Sequence, residues 1–400
     1  MGDFADVVRR YMSERGLSVR ATAKAAGYSD HTLLSKVLNG HKPATPHLAR
    51  RLDDALGAGG EIKAAVPPQP PAGSAQGRDD ASEAQDVMTW LTGTNASDDA
   101  IGGLASTAAY LAEAHARMPA AKILPEVLGV HRAVHSFLRS GRQRLSQTRE
   151  LLRVDSALLA HACLLLGDLG HHEVARAYGS AALLCAQECE ADEGLAWTAM
   201  AKTARWQERF AEAAGLASRG FGASGQVPVR AELAYREANA MALFGDVPRA
   251  RAALRRADQA AEGLDDGGTS AWSFSRGRQA IFTLSVCIHT GDPDGALCAA
   301  GAADAYWDAG GGKVTATWAQ VRAGAAMAYL LKGSLDGAAM ELAGVLELPP
   351  DQRIRTVTGY LDEVSGMLGA RRFADSPLAT GLSEQLREFS AVGAATEGES

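Results

Sequence analysis

Nowhere in the 400 residues is there an apolar run of the roughly 20 residues that a bilayer crossing needs. The longest, ALLAHACLLLG at 157–167, falls far short, so no membrane role is expected. Cysteine is scarce: five residues, an odd number, with no CxxC spacing, and no charged-then-apolar leader precedes the first helix pattern. Both observations point to a reducing cytoplasm. The start MGDFAD has no Ser or Thr where a myristoylation signal wants one, so a lipid anchor is not expected either. Alternating strand patterns and β-branched runs are missing from the long C-terminal part, which excludes a sheet-based body. Catalytic signatures are missing too. There is no nucleophile elbow, Rossmann fingerprint or pair of catalytic carboxylates, and AGGGKVT at 309–315 has a Gly-Lys but not the earlier glycine or the Ser/Thr of a P-loop. That segment reads as a turn, and neither an enzyme nor a cofactor is expected.

What is present is a hydrophobic content of 46%, enough for each of two or three domains to bury a core. The formal net charge of -7 hides an uneven distribution. The first 60 residues hold nine basic side chains against six acidic ones, so the acidic surplus belongs entirely to the rest of the chain. A small basic head on a large acidic body suits a protein that touches phosphate only with its head.

Three regions follow from composition. Residues 1–61 read as four to five short helices, each with its own stop signal. Residues 62–85, rich in Pro, Gly, Ala and Ser and almost without large apolar side chains, read as a flexible linker. Residues 86–395 are Ala- and Leu-rich and helical in pattern throughout, so the fold class is all-α. Within the body, five segments align on Ala175, Ala211, Ala250, Ala296 and Ala338, each marking the start of a second helix. A small or apolar residue lies about twelve positions earlier in each: Cys163, Ala199, Ala238, Leu284 and Ala326. This pattern resembles tetratricopeptide (TPR) repeats, stacked helix-turn-helix pairs, in a degenerate form with long periods and poorly kept aromatic positions. The resemblance implies a TPR-like α-superhelix.

In the head, Phe4, Val7, Val8 and Tyr11 share one face of a first helix that stops at Gly16. Ser18 caps a second helix ending at Gly27, and Asp30 caps a third whose buried face is Leu34, Val37 and Leu38. A fourth helix carries Leu48, Leu52 and Leu56. With LS at 17–18, Ala23, Gly27, LSKVLNG ending at Gly40 and a proline before the fourth helix, the segment is similar to the Cro/repressor-type (XRE) helix-turn-helix regulators. Two departures stand out: the turn GYSD is one residue longer than the commonest form, and Val19 occupies a position that is usually Gln. The resemblance implies that the third helix enters the major groove of double-stranded DNA. Carried over by position, His31, Thr32 and Lys36 face base edges, Leu33 can meet a thymine methyl and Ser35 a phosphate or a base, and Arg9, Arg10, Arg20, Lys24, His41 and Lys42 neutralise phosphates. Head and body together look like those of actinobacterial regulators.

The first helices of TPR-like pairs line a groove, and the groove positions expected here are Glu193, Met200, Tyr235, Asn239, Arg278, Ser285 and Gln320. Their mixed character suits a peptide or a small amphipathic effector. Most of the six tryptophans are expected in the core, with one or two at most in a groove. His131 with His135, and Cys185 with Cys189, sit one helical turn apart as two metal ligands would, but neither pair has a third or fourth ligand, so no metal is expected. The reading is a cytoplasmic, homodimeric, sequence-specific transcriptional regulator whose body senses a ligand. The alternative is an adaptor whose body only oligomerises or recruits protein partners.

Overall fold

The computed structural model describes residues 3–66, 73–115, 117–264, 268 and 270–398. They are helical with no strand among them, and the chain divides into two compact units, Met1–Leu91 and Thr92–Ser400.

The first unit opens with five helices: α1 (Phe4–Glu14), α2 (Val19–Ala25), α3 (Thr32–Leu38), α4 (Pro46–Leu56) and α5 (Glu61–Ala64). Each boundary has a local cause. The Ser18 hydroxyl accepts from the Ala21 amide at 3.2 Å, and the Asp30 carboxylate accepts from the Thr32 amide at 3.1 Å. Thr45 accepts from the Leu48 amide at 3.2 Å, followed by Pro46 in the first turn, where a missing N–H costs nothing. Phe4, Val8, Met12, Leu34, Leu38, Leu52, Leu56 and Ile62 form one core. Met12, rather than Tyr11, completes the buried face of α1; Tyr11 is half-buried and donates its hydroxyl to Glu61.

Ile62 is fully buried, so this core runs through the start of the segment expected to be linker. Further along, Gly73–Thr92 forms a helix, α6. The prolines of that segment are confined to 67–71, and the Ala, Gln, Asp and Glu residues after them are compatible with a helix. Residues 67–72 lie outside the described residues. On α6, Trp90 is 78% exposed, unlike the other tryptophans.

The second unit comprises α7 (Asp98–Ala114), α8 (Ala120–Ser140), α9 (Leu145–Asp168), α10 (His172–Glu188), α11 (Gly194–Trp206), α12 (Phe210–Ala223) and α13 (Val227–Phe244). It continues with α14 (Val247–Ala261), α15 (Arg276–His289), α16 (Pro293–Asp308), α17 (Thr315–Leu331), α18 (Leu335–Leu346), α19 (Arg355–Leu368) and α20 (Pro377–Gly398). From α9 to α18 the helices pack as consecutive pairs, and the first helix of each pair also packs on the first helix of the next, ending on α19.

Small residues permit that double contact. Cys163, Ala199, Ala238, Leu284 and Ala326, in the middle of the first helices, have no exposed surface at all. Ala175, Ala250, Ala296 and Ala338 are equally buried, each at the fourth residue of a second helix. In α12 that place belongs to Ala213, and Ala211 is exposed, so the repeat is two residues out of register there with the alignment read from the sequence. Gly179 marks one close approach: a Cβ there would stand 2.5 Å from Met200 Cγ and 3.1 Å from Cys163 Sγ. Between the layers Leu165, Leu233, Leu284 and Met327 are completely covered, each contributing about 1.5–3 kcal/mol by leaving water.

Two long-range hydrogen bonds cross this stack. The Ala271 amide donates to the Ala112 carbonyl at 2.8 Å, and Arg355, at the start of α19, donates to the Asp168 carbonyl at the end of α9. No helix among the described residues is long and apolar enough to cross a membrane. All five cysteines are free.

Candidate nucleic-acid interface and internal cavity

In the first unit, α2 and α3 are joined by a turn that begins at Gly27, whose φ of +80° suits only glycine. Arg51 of α4 covers this turn, donating to the Gly27 carbonyl and lying over the Tyr28 ring. With Leu34, Val37 and Leu38 buried, the helical period leaves Thr32, Leu33 and Lys36 on the outer surface of α3, Leu33 at 37% exposure; Ser35 is half-buried. His31 lies immediately before the helix, its Nδ1 at 3.3 Å from Asp30. Hydrogen bonds from the Thr32 hydroxyl and amide hold the Asp30 carboxyl below its ordinary range.

The basic rim is not uniform. Arg20, Lys24, Lys36, His41 and Lys42 are exposed, and none of them has a carboxylate within ion-pair distance among the described residues. The amides of His41 and Lys42 both fold back onto the Lys36 carbonyl, which keeps these two residues beside the end of α3. Arg9 spends one nitrogen on the Leu38 carbonyl at 2.6 Å, closing the C-terminus of α3. Arg10 pairs with Glu61 at 2.6 Å and so ties α1 to α5. Position in the sequence had grouped Arg10 with the phosphate contacts; in the structure it has an anionic partner of its own.

In the second unit the inner helices surround a partly enclosed cavity of about 270 Å³. Polar groups crowd one part of its wall. Lys202 donates to both oxygens of Asp168, at 2.8 and 2.9 Å, and Trp206 Nε1 donates to the same carboxylate at 3.1 Å. Arg236 and Arg278 share the buried Glu232, at 2.6 and 2.9 Å. Burial alone would raise the Glu232 pKa, but the two guanidiniums outweigh it and hold the carboxyl below its ordinary range. Burial also pushes Lys202 and Arg236 down, and lifts Tyr360 to about 12. His115 reaches the cavity from the end of α7, with its Nδ1 at 3.1 Å from His161 Nε2; burial depresses the two to about 4 and about 3, so both are neutral near pH 7.

Of the groove residues expected from the sequence, Asn239, Arg278 and Gln320 line this cavity. Ser285 stands behind them, accepting from Asn239 Nδ2 at 2.7 Å. Tyr235 is buried and donates to Asp258 at 2.6 Å, Glu193 accepts from Trp197 Nε1 at 2.9 Å, and Met200 packs against the helices around it; none of the three reaches the cavity. Asp168, Lys202, Arg205, Trp206, Arg236 and Arg355 were missed. The available signal was the run of long cationic side chains, Lys202, Arg205 and Arg236, inside helices otherwise built of alanine, where a charge needs a reason to be buried.

His131, His135 and Cys185 border a second, more open pocket of about 630 Å³, where His131 Nδ1 lies 2.7 Å from Asp155. Cys189 is directed elsewhere, onto the Ala186 carbonyl, and burial raises the Cys185 thiol to about 11. No group of three ligating side chains that could hold a metal ion is present among the described residues. The Gly-Lys of 311–313 forms the turn between α16 and α17, with the Lys313 ammonium over Trp307 and Trp318.

Among curated proteins, none matches the sequence. Residues 3–65 match the family model described as a helix-turn-helix domain, a span that covers α1 to α5. The chain carries an N-terminal helix-turn-helix DNA-binding domain.

Proposed function

We propose that the protein is a homodimeric transcriptional regulator of the Cro/repressor (XRE) type, whose TPR-like helical body joins the two chains and senses an effector. The observation that carries the reading is the outer face of α3, where Thr32, Leu33 and Lys36 are exposed at the end of a glycine-initiated turn. Arg20 and Lys24 on α2 and His41 and Lys42 just after α3 are exposed, and among the described residues none has a carboxylate within ion-pair distance. A helix of this kind reads base edges in the major groove, and the rim supplies counter-charge to phosphates. A single head buries too little surface for a specific site, so two are needed on half-sites about 34–36 Å apart. The body provides the larger surface for joining them, and its polar cavity supports an effector role in the cytoplasm.

Footprinting of the full-length protein on fragments of its own genome, with a Thr32→Ala, Lys36→Ala double variant alongside, tests this. Discrete paired protections that disappear in the variant are the expected result. Protections that survive in the variant would remove α3 from the interface, and single unpaired ones would remove the dimer.

A further inference from the structure

The wall of the internal cavity holds more positive charge than its own carboxylates offset. Lys202, Arg205, Arg236, Arg278 and Arg355 all reach it, whereas the carboxylates paired with them are Asp168 and Glu232. Arg205 and Arg355 are the unpaired members. Arg205 donates to Asn239 Oδ1 at 2.8 Å and Arg355 to the Asp168 carbonyl at 3.3 Å, and neither forms an ion pair among the described residues. Their guanidiniums lie 5.3 and 5.4 Å from the Trp206 ring, so one indole fixes both.

Asn239 is 2% exposed, with its amide bonded to Ser285 on one side and Arg205 on the other. It therefore orients Arg205 and offers little of itself to the cavity. Unpaired cations away from bulk water are costly, and a bound anion relieves that cost. The same wall also has apolar members, Leu164, Ile281, Phe282, Val314 and Ile354.

We propose that the cavity binds a small amphipathic organic anion, its oxyacid head received by Arg205 and Arg355 beside Trp206 and its apolar part against Ile281, Phe282 and Ile354. Size favours a small molecule over a peptide. About 270 Å³ lies just below the roughly 300–1,000 Å³ that small-molecule sites span, so a ligand there is small. The Arg355 contact with α9 and the Ala271 contact with α7 both tie down residues of the cavity wall.

This inference rests on the effector half of the reading above, and it is tested without DNA, so its failure is separate from any failure of the head. Titration calorimetry of the full-length protein would use a panel of six- to ten-carbon aromatic and aliphatic carboxylates, the matching phosphate monoesters, and the neutral amides of the same skeletons. Arg205→Gln and Arg355→Gln are the test variants, Arg276→Gln, at an exposed position on α15, is the control, and thermal unfolding of each verifies the fold.

At least one acid is expected to bind with one site per chain, its amide not to bind, and each test variant to lose about tenfold or more in affinity while the control keeps it. A preference for carboxylates or for phosphate esters identifies the head group, and either supports the proposal. Amides binding as tightly as acids, no member of the panel binding at millimolar concentration, or Arg205→Gln and Arg355→Gln binding as the parent does would each overturn it.

Discussion

Lys36 and Arg10 carry the same charge and are both exposed, yet their surroundings differ. Lys36 stands on the outer face of α3 with no anionic partner among the described residues, whereas Arg10 is held to Glu61. Replacing Lys36 by Ala is expected to weaken a specific site by about 1–3 kcal/mol, with little change on random DNA, in fluorescence-anisotropy titrations. Equal losses on both would reassign it to a phosphate. Arg10→Ala is expected to leave the salt dependence of binding unchanged, while Lys42→Ala lowers the slope of log K against log[salt] by about one. A fall in slope for Arg10→Ala would show that DNA displaces Glu61. The difference between the two residues was not legible in sequence, because Glu61 lies 51 positions from Arg10 and only the packing of α5 on α1 brings them together.

Among elements, the shortest helix has the most specific support. The Asp53 carboxylate, buried on α4, accepts from the amides of Gly60 at 2.9 Å and Ile62 at 3.0 Å, and so holds the start of α5. Asp53→Ala leaves these amides without their acceptor and is expected to cost about 1–3 kcal/mol, read as an earlier midpoint in urea unfolding of the head. A loss within error would mean that water replaces the carboxylate.

Helix ends in the head were legible where Ser18, Asp30 and the glycines act on their immediate neighbours, whereas the Thr45 cap that starts α4 at Pro46 was not read. In the body the small residues that mark helix pairs were legible as well. The face each inner helix turns to the cavity was less so. On α11 the sequence reading chose Met200, but Lys202, Arg205 and Trp206 line the wall. An alanine-rich helix has apolar residues on every side, so its hydrophobic pattern does not fix its rotation.

Burial of His115 and His161, at the end of α7 and on α9, gives this region a pH dependence of known sign. Their pKa values fall from the ordinary 6.5 to about 4 and about 3, so in the unfolded chain they take up protons first. Their neutral native forms contribute fully to stability above about pH 6.5, and that contribution is lost as pH falls toward 4. Between pH 7 and pH 5 the body is expected to lose about 1–2 kcal/mol per histidine in urea unfolding, and His161→Phe to reduce the drop. An identical drop in the variant would place the dependence on the carboxylates instead.

For the whole molecule, composition and charge shift across 62–85, whereas the chain divides into its two units between Leu91 and Thr92, and 62–64 and 73–85 are helical where a flexible linker was expected. Composition gives the cost of ordering a segment, but not the neighbour that offsets it: Ile62 is one apolar side chain, and only the head core shows why it is covered. The bond from Arg355 to Asp168 spans 187 positions and joins the last inner helix to the first of the paired ones. A linear stack of repeats has two free ends and can fray inward from either, melting layer by layer. A stack whose last layer is fastened to its first has no such starting point, so losing any one layer strains all the others. The body is therefore expected to melt in a single calorimetric transition with matching van't Hoff and calorimetric enthalpies, and Arg355→Ala to broaden it. A staircase of transitions in the unaltered chain would mean that the fastening is too weak to count. If it holds, the body behaves as one cooperative object, and a disturbance at any inner helix is shared around the whole loop of helices.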